Sequence, residues 1–271
     1  MNGEVREFAF SKSDFNKVRA MLYDLSGINL SDNKDSMVYS RLARRLRALR
    51  LSSFSGYLDF LAKNSDEVEH FVNGLTTNLT SFFRENHHFD ILSDYLKKSS
   101  GHQRIWCAAS STGEEPYSIA MCAAETYSTL TPPVSIIATD IDSNVLAIAR
   151  EGIYNNDRIR SLSQNRLKQF FYRGKKSKEG KVKVVPEIQN LVKFTSLNLT
   201  DQQWPSIKGP FDIVFCRNVM IYFDKPTQLK ILTKLVGTMS SHGLYFAGHS
   251  ESFLNASNIV VPVGKTVYKK A

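Results

Sequence analysis

The chain has 271 residues, of which 42% are hydrophobic and 23% are charged, so it can bury one large core or two modest ones. No segment approaches the roughly 20 apolar residues of a membrane-spanning helix, and the first seven residues include acids and no apolar signal core. We therefore expect a cytoplasmic protein without membrane insertion.

The chain contains three cysteines, Cys107, Cys122 and Cys216, which lie far apart in apolar runs. This placement favours buried hydrophobic side chains over metal ligands.

The net charge of +9 is concentrated in one stretch of the chain. Residues 158–193 contain eleven Lys or Arg and only two acids, Glu179 and Glu187, while the charges of all other residues cancel. A local basic patch of this kind indicates an interaction surface, and the identity of its partner depends on the rest of the sequence.

Residues 1–75 are predicted to form a small helical domain. Apolar residues recur at helical spacing from Phe15 to Leu25, ahead of Gly27, which suits the end of a helix. A second helix runs from Val38 to Leu49, and two more are predicted at 54–61 and 68–75. The faces of the second helix that lack apolar residues carry Arg41, Arg44, Arg45, Arg47 and Arg50.

From about Ser99 onward, short apolar runs alternate with helical patterns, which is typical of a doubly wound, Rossmann-like α/β sheet. Strands are predicted at 104–108, 135–139, 191–196, 212–216 and 243–247, with a terminal β-hairpin at 258–262 and 266–269. Helices are predicted at 116–129, 143–151 and 225–238. The resulting α/β domain covers 76–271 and contains a small basic β insertion at about 160–192, with a helix at 160–170 and an alternating strand at 181–184.

The segment from Arg104 to Asp142 predicts a strand, a turn, a helix and a second strand that ends on Asp140. In a parallel βαβ unit the turn and that carboxylate lie at the same edge of the sheet, where a nucleoside cofactor binds. The turn contains Gly113 but no glycine array for a pyrophosphate, which favours S-adenosylmethionine. Asp140 is placed to accept a ribose hydroxyl, and Arg84 and Glu115 suit the carboxylate and ammonium of the methionine end.

Five motifs, in a fixed order along the chain, indicate one particular protein family. Together they resemble the bacterial chemotaxis receptor methyltransferase family, CheR, across nearly the whole chain. The motifs are TNLTSFFRENHHF at 77–89, STGEEPYS at 111–118, ATDID at 138–142, FCRNVMIYF at 215–223 and AGHSE at 247–251.

The resemblance implies an S-adenosylmethionine-dependent glutamate O-methyltransferase. Such an enzyme esterifies side chains on the cytoplasmic helices of methyl-accepting chemoreceptors and releases S-adenosylhomocysteine. The cofactor contacts implied by the matching positions are Asn78, Thr80, Arg84, Glu115, Asp140, Asn198, Leu199, Arg217 and Asn218.

The chemistry requires positioning more than proton transfer. A glutamate has a reference pKa of about 4.3, so it is already a nucleophile at neutral pH and needs no general base. Arg84 and Tyr222 are the candidate catalytic residues, because a guanidinium and a phenol can both hold a carboxylate. The sequence leaves open whether Arg84 holds the cofactor or the substrate.

Simpler interpretations exist for several of these residues. Asp140 can cap the following helix, and Glu115 can be a first-turn acid with Pro116 at the first helical position. Tyr222 can be a core aromatic residue. We interpret His87 and His88 as structural or solvated rather than as metal ligands. We interpret His249 as a supporting loop residue, because the sequence shows no partnered acid for a catalytic triad.

Substrate recognition is assigned to two basic regions. Arg41, Arg44, Arg45 and Arg47 form either a solvated helix face or a surface that steers an acidic receptor helix. The β insertion is a soluble loop, a nucleic-acid contact or, as the resemblance implies, a docking edge for a C-terminal receptor peptide through β-augmentation.

Two other functions compete with receptor methylation. A nucleic-acid methyltransferase would suit the basic patch, but the loop after the fourth strand lacks the Asn/Asp-Pro-Pro-aromatic motif of base amino methylation, and Phe170, Phe171 and Tyr172 are better explained as core. A non-catalytic cofactor-binding module is the other alternative. We expect a monomer that binds no nucleic acid.

Overall fold

A computed structural model describes residues 6–271. The first five residues, which make up most of the segment whose composition argues against a signal sequence, lie outside the described residues. Within residues 6–271, no helix combines the length and the apolar character needed to cross a bilayer.

One compact unit contains the chain up to Thr77 together with Tyr222–Thr227. Its helices are α1 (Lys12–Ser26), α2 (Asp35–Leu49), α3 (Phe54–Lys63) and α4 (Ser65–Leu75). The helix predicted before Gly27 is confirmed: Ser11 and Asp14 form a capping box at its start, and Gly27 ends it with a φ of 71°. The helix predicted from Val38 to Leu49 is also confirmed, and its apolar face is buried.

The segment Tyr222–Thr227 is fastened to α1 and the loop after it by two polar contacts. The main-chain N–H of Asn29 donates to the main-chain oxygen of Tyr222 over 2.8 Å. The hydroxyl of Tyr23 donates to Asp224 Oδ2 over 2.6 Å. The helical unit is therefore built from two separate parts of the sequence.

The second unit contains residues 78–221 and 228–271, so the first three residues of its last helix, 225–227, are grouped with the helical unit. It is an α/β unit that alternates strands and helices, as the sequence predicts. In chain order its elements are α5 (His87–Lys98), β1 (Gln103–Cys107), α6 (Glu114–Tyr127), β2 (Val134–Asp140), α7 (Ser143–Glu151), β3 (Ile153–Asn155), α8 (Gln164–Phe170), β4 (Phe171–Arg173), β5 (Lys181–Val184), α9 (Pro186–Gln189), β6 (Val192–Ser196), β7 (Phe211–Phe215), α10 (Lys225–Gly237), β8 (Met239–Phe246), β9 (Val260–Gly264) and β10 (Val267–Lys270).

Seven strands form the main sheet in the order β6-β2-β1-β7-β8-β10-β9. The first five of these are parallel, and the terminal hairpin β9-β10 adds antiparallel strands at one edge. The strand order reverses between β1 and β7, so the carboxyl ends of β2, β1 and β7 surround a topological switch point. The Rossmann-like prediction is confirmed, with β8 beginning at Met239 rather than at Gly243.

A second sheet has the strand order β3-β5-β4; the strands β4 and β5 lie within the predicted insertion, and β3 precedes it. The strand predicted at 181–184 is β5, and its valines are buried while its lysines are exposed. The strands β3 and β4 were not predicted, because three residues are too few to show an alternating pattern. The helix predicted from residue 160 begins at Gln164. Tyr172 is 57% exposed, so its assignment to the core was wrong.

Candidate active site

Asp140 ends β2 at the switch point, and its carboxylate accepts two main-chain hydrogen bonds. Ser111 N donates to Oδ2 over 2.8 Å, and Asp142 N donates to Oδ1 over 3.0 Å. Burial outweighs these bonds and raises the pKa of Asp140 to about 6. The capping role considered for Asp140 belongs instead to Asp142, whose carboxylate accepts from Asn144 N over 2.9 Å at the start of α7.

The turn between β1 and α6 is closely packed around Gly113. Gly113 has a φ of 97°, and a Cβ there would lie 2.9 Å from Ala149 Cβ and from the Tyr154 hydroxyl oxygen. Only glycine combines this backbone conformation with this close approach. Because α6 begins at Glu114, Pro116 is its third residue rather than its first.

Three charged side chains meet at the first turn of α6. Arg217 Nη1 lies 2.9 Å from Glu115 Oε2, and Arg217 Nη2 lies 3.4 Å from Glu85 Oε2. Arg217 Nη2 also donates to the main-chain oxygen of Arg84 over 2.5 Å. Burial raises the pKa of Glu115, and the charge of Arg217 opposes that rise.

Glu85 connects this group to the loops that follow β7 and β8. Its Oε1 lies 3.1 Å from His249 Nδ1 and accepts from Asn218 Nδ2 over 3.3 Å. Burial by itself would raise the pKa of Glu85, but the hydrogen bond from His249 and the charge of Arg217 lower it to about 2. The expectation that His249 lacks a partnered acid was wrong, because Glu85 supplies one from a distant part of the sequence.

A second buried carboxylate organises the loop after β7. Glu251 Oε2 accepts from Asn218 N over 3.0 Å and from Gly248 N over 2.6 Å. Glu251 Oε1 accepts from Met220 N over 2.8 Å. Glu85 and Glu251 lie inside two of the five motifs, but no local spacing connects either of them to Asn218, so no role was predicted for them.

The other predicted cofactor contacts lie near the same sheet edge. Asn78 Nδ2 donates to Asp142 Oδ2 over 2.7 Å, and the Ser111 hydroxyl donates to the main-chain oxygen of Asn78 over 2.8 Å. Thr80 is half-buried a little further along the same segment. Asn198 and Leu199 follow β6, the neighbour of β2 in the sheet.

The two adjacent histidines differ in environment. His88 is fully buried, and its Nε2 lies 2.9 Å from Thr266 Oγ1, which agrees with the structural role predicted for it.

Glu85, His87 and His88 bring potential ligand atoms within 4.8 Å of one another. The guanidinium of Arg217, 3.4 Å from Glu85 Oε2, opposes a cation at this place, so the group is not assigned as a metal site.

The candidate recognition arginines lie on α2 in the helical unit, and most of them have partners there. Arg45 makes a two-pronged ion pair with Glu67 over 2.9 and 2.6 Å. Arg41 donates to the main-chain oxygen of Thr76, and Arg47 pairs with Glu7 over 2.7 Å. Arg44 is exposed. The acids that pair with these arginines, Glu7 and Glu67, lie outside α2 in the sequence.

Tyr222 also belongs to the helical unit. It is the last residue of a short 3₁₀ helix, Met220–Tyr222, which follows the loop that carries Arg217 and Asn218. Its side chain is half-buried rather than part of the core.

The side chains at the switch point fit S-adenosylmethionine. Arg217 Nε and Ser110 Oγ are buried and have no hydrogen-bond partner within residues 6–271. Buried polar atoms in proteins are nearly always paired, so unsatisfied donors indicate a missing polar ligand. A carboxylate is a suitable acceptor for the guanidinium, and the methionine end of the cofactor carries one.

Comparisons with known proteins match nearly the whole chain. A family model described as "CheR methyltransferase, SAM binding domain" matches residues 78–268, and one described as "CheR methyltransferase, all-alpha domain" matches residues 13–76. The chain is 49% identical over 269 residues to "Chemotaxis protein methyltransferase 2" of Pseudomonas aeruginosa. The alignment covers 98% of this chain and 96% of the relative. It is 47% identical to the "Chemotaxis protein methyltransferase" of Escherichia coli, covering 96% of this chain and 91% of the relative.

Proposed function

Since the chain belongs to the CheR methyltransferase family, we propose that it transfers the methyl group of S-adenosylmethionine to glutamate side chains of chemoreceptors, giving methyl esters. The observation that supports this most directly is the buried Arg217–Glu115 ion pair, together with the half-buried Asp140 at the end of β2, on the edge of the sheet where its strand order reverses. When bound there, S-adenosylmethionine supplies the activated methyl group.

Asp140 accepts a ribose hydroxyl in this proposal. Its two main-chain hydrogen bonds fix the direction of the carboxylate, and the remaining lone pairs of its oxygens are available to a ligand. Asn78 and Thr80 border the same place from the segment before α5, and Asn198 and Leu199 border it from the loop after β6. These four residues provide shape and hydrogen bonds for the nucleoside.

Glu115 holds the ammonium of the methionine end, and Arg217 holds its carboxylate through the unpaired Nε. Glu115 is buried beside Arg217, so its carboxylate can accept hydrogen bonds from an ammonium while the guanidinium donates to a carboxylate. Asn218 borders the same end of the site. Burial strengthens each of these contacts, because water does not compete for the charged groups.

Arg84 is then available for the substrate. One of its guanidinium nitrogens donates to the main-chain oxygen of Leu79 over 3.0 Å, and its other N–H groups remain as donors. It would hold the glutamate carboxylate, which is ionised at neutral pH and needs no general base. Tyr222 remains the other candidate for contact with the substrate. The contribution of these two residues is orientation and partial exclusion of water.

The β insertion is the proposed docking site for a C-terminal receptor peptide. The strand β5 has neighbours on both sides, so an added strand must pair with β3 or β4. The β4 edge presents the exposed side chains of Tyr172 and Arg173, with Lys183 beside Tyr172 on β5. An acidic, aromatic-containing peptide is complementary to that edge.

One experiment separates receptor methylation from the two other functions. The protein is incubated with methyl-labelled cofactor and either receptor cytoplasmic fragments or nucleic acid, and volatile methanol is collected after treatment with base. We expect release of label, because carboxyl esters are base-labile. Label that remains on nucleic acid would indicate a base methyltransferase, and cofactor binding without any transfer would indicate a regulatory module.

A further inference from the structure

Glu251 is a buried carboxylate whose hydrogen-bond partners are main-chain amides. It is 4% exposed and lies in the loop after β8. Its two oxygens accept from the N–H groups of Gly248, Asn218 and Met220 over 2.6, 3.0 and 2.8 Å. Three charge-assisted bonds of this length from a buried acid hold the backbone more firmly than neutral bonds would.

These amides come from two loops at the same edge of the sheet. Asn218 and Met220 follow β7, and Gly248 follows its parallel neighbour β8. The two loops approach so closely that a Cβ at Gly248 would lie 2.8 Å from Asn218 N. Asn218 itself adopts the left-handed conformation, with a φ of 58°. A non-glycine residue in that conformation needs support from its surroundings, and Glu251 provides it.

The loop that Glu251 holds carries two of the proposed cofactor contacts. Arg217 places its guanidinium 2.9 Å from Glu115, and Asn218 donates its side-chain amide to Glu85 over 3.3 Å. We infer that Glu251 is a positioning residue, which fixes Arg217 and Asn218 for the cofactor by binding the backbone around them. The inference rests on the proposed cofactor site and adds a residue that does not touch the cofactor.

A carboxylate is the side chain that this task requires. Its two oxygens accept hydrogen bonds only, so all three N–H groups can be satisfied together. Glutamine has nearly the same shape, but it offers one oxygen and turns an NH₂ group toward at least one backbone N–H. A buried N–H group would then be left without an acceptor, and the loop would move to relieve it.

The test compares Glu251→Gln with the parent chain and with a matched control, Glu187→Gln, which makes the same change at an exposed residue of the same unit. Binding of S-adenosylhomocysteine is measured by calorimetry, and the melting temperature is recorded for each variant. We expect Glu251→Gln to weaken binding by about tenfold or more, because a charged hydrogen-bond set is lost. Glu187→Gln should bind as the parent does.

A double-mutant cycle distinguishes positioning from general stability. If Glu251 acts through the loop, Glu251→Gln combined with Asn218→Ala should weaken binding by less than the product of the two single effects. Combined with Asp140→Asn, at the ribose end of the site, it should give the full product. Multiplicative effects in both pairs, or unchanged binding by a Glu251→Gln variant with a lowered melting temperature, would overturn the positioning role.

Cofactor binding by Glu251→Asp and methylation by the parent chain are measured as well. Glu251→Asp retains the charge and both oxygens, so it should recover part of the affinity; should Glu251→Gln fail to fold, weakened binding by Glu251→Asp supports the inference and parental binding overturns it. Because the readout is cofactor binding, it does not depend on the receptor. A parent chain that binds the cofactor and methylates nothing contradicts the proposed reaction but not the role of Glu251.

Discussion

Arg217 and Glu115 form a buried ion pair, with Nη1 and Oε2 2.9 Å apart, although they are separated by about half of the chain's α/β unit in sequence. Removing one partner from such a pair leaves an uncompensated buried charge. Arg217 also forms an ion pair with Glu85, so one planar guanidinium lies beside two carboxylates.

Arg217→Lys should weaken binding of S-adenosylhomocysteine by roughly tenfold to a hundredfold, because an ammonium is a point charge and cannot reproduce the fork of donors. Calorimetric titration measures the change. Arg173→Lys, the same substitution at an exposed arginine, is the control and should bind the cofactor normally. Normal binding by Arg217→Lys would contradict the proposed contact with the methionine end.

Cofactor affinity should fall on acidification through the titration of Asp140, whose pKa is about 6. The raised pKa means that the carboxylate is ionised above pH 6 and protonated below it, and the ionised form is the stronger acceptor for a ribose hydroxyl. Below pH 6 the affinity should drop by up to about tenfold per pH unit. Asp140→Asn should bind weakly and lose this dependence; a variant that keeps the parental pH profile would assign the titration to another group.

Arg44→Glu should raise the apparent KM for a receptor fragment several-fold, flatten its dependence on salt and leave kcat unchanged. Arg44 is exposed, so its charge can act on an approaching acidic helix. Steady-state kinetics at two ionic strengths measure both effects. Unchanged KM at low salt would favour the interpretation of α2 as a solvated helix face.

Arg45→Ala should act on stability instead. Its partner Glu67 is only 4% exposed and also accepts from the Tyr57 hydroxyl, so removing the guanidinium leaves a buried carboxylate without its cation. Loss of one partner of a buried pair costs about 3 kcal/mol or more, which lowers the melting temperature by roughly 5 to 10 °C. Differential scanning calorimetry tests this, with Arg44→Ala as the matched control that should melt as the parent does.

Tyr222→Phe should lower kcat more than it lowers cofactor affinity, because the phenol is proposed to hold the substrate carboxylate. The change removes one oxygen and keeps the ring, so the fold should be retained. Turnover with receptor fragments and binding of S-adenosylhomocysteine are measured on the same preparation. Unchanged turnover would exclude the phenol from catalysis and leave Tyr222 as a packing residue.

Much of the fold was predictable from the sequence, because apolar periodicity marks most of the long helices and the strands of the main sheet; the helix α5 was not among the predicted elements. The short strands β3 and β4 were not predictable, since three residues show no period and β3 lies before the basic stretch. In the site, Asp140 and Glu115 could be inferred from strand and turn order. Glu85 and Glu251 could not be, because their shared partner Asn218 lies far away in the sequence, in the loop after β7, and approaches them only in the folded protein.

The return of Tyr222–Thr227 to the helical unit has a consequence for modularity. The helical unit is not a separable N-terminal block, since the chain passes between the two units at three places rather than one. A hybrid enzyme that takes residues up to Thr77 from a relative would combine foreign helices with a native segment at 222–227, including the Tyr23–Asp224 contact. Exchange of specificity between relatives should therefore succeed only when both segments are transplanted together.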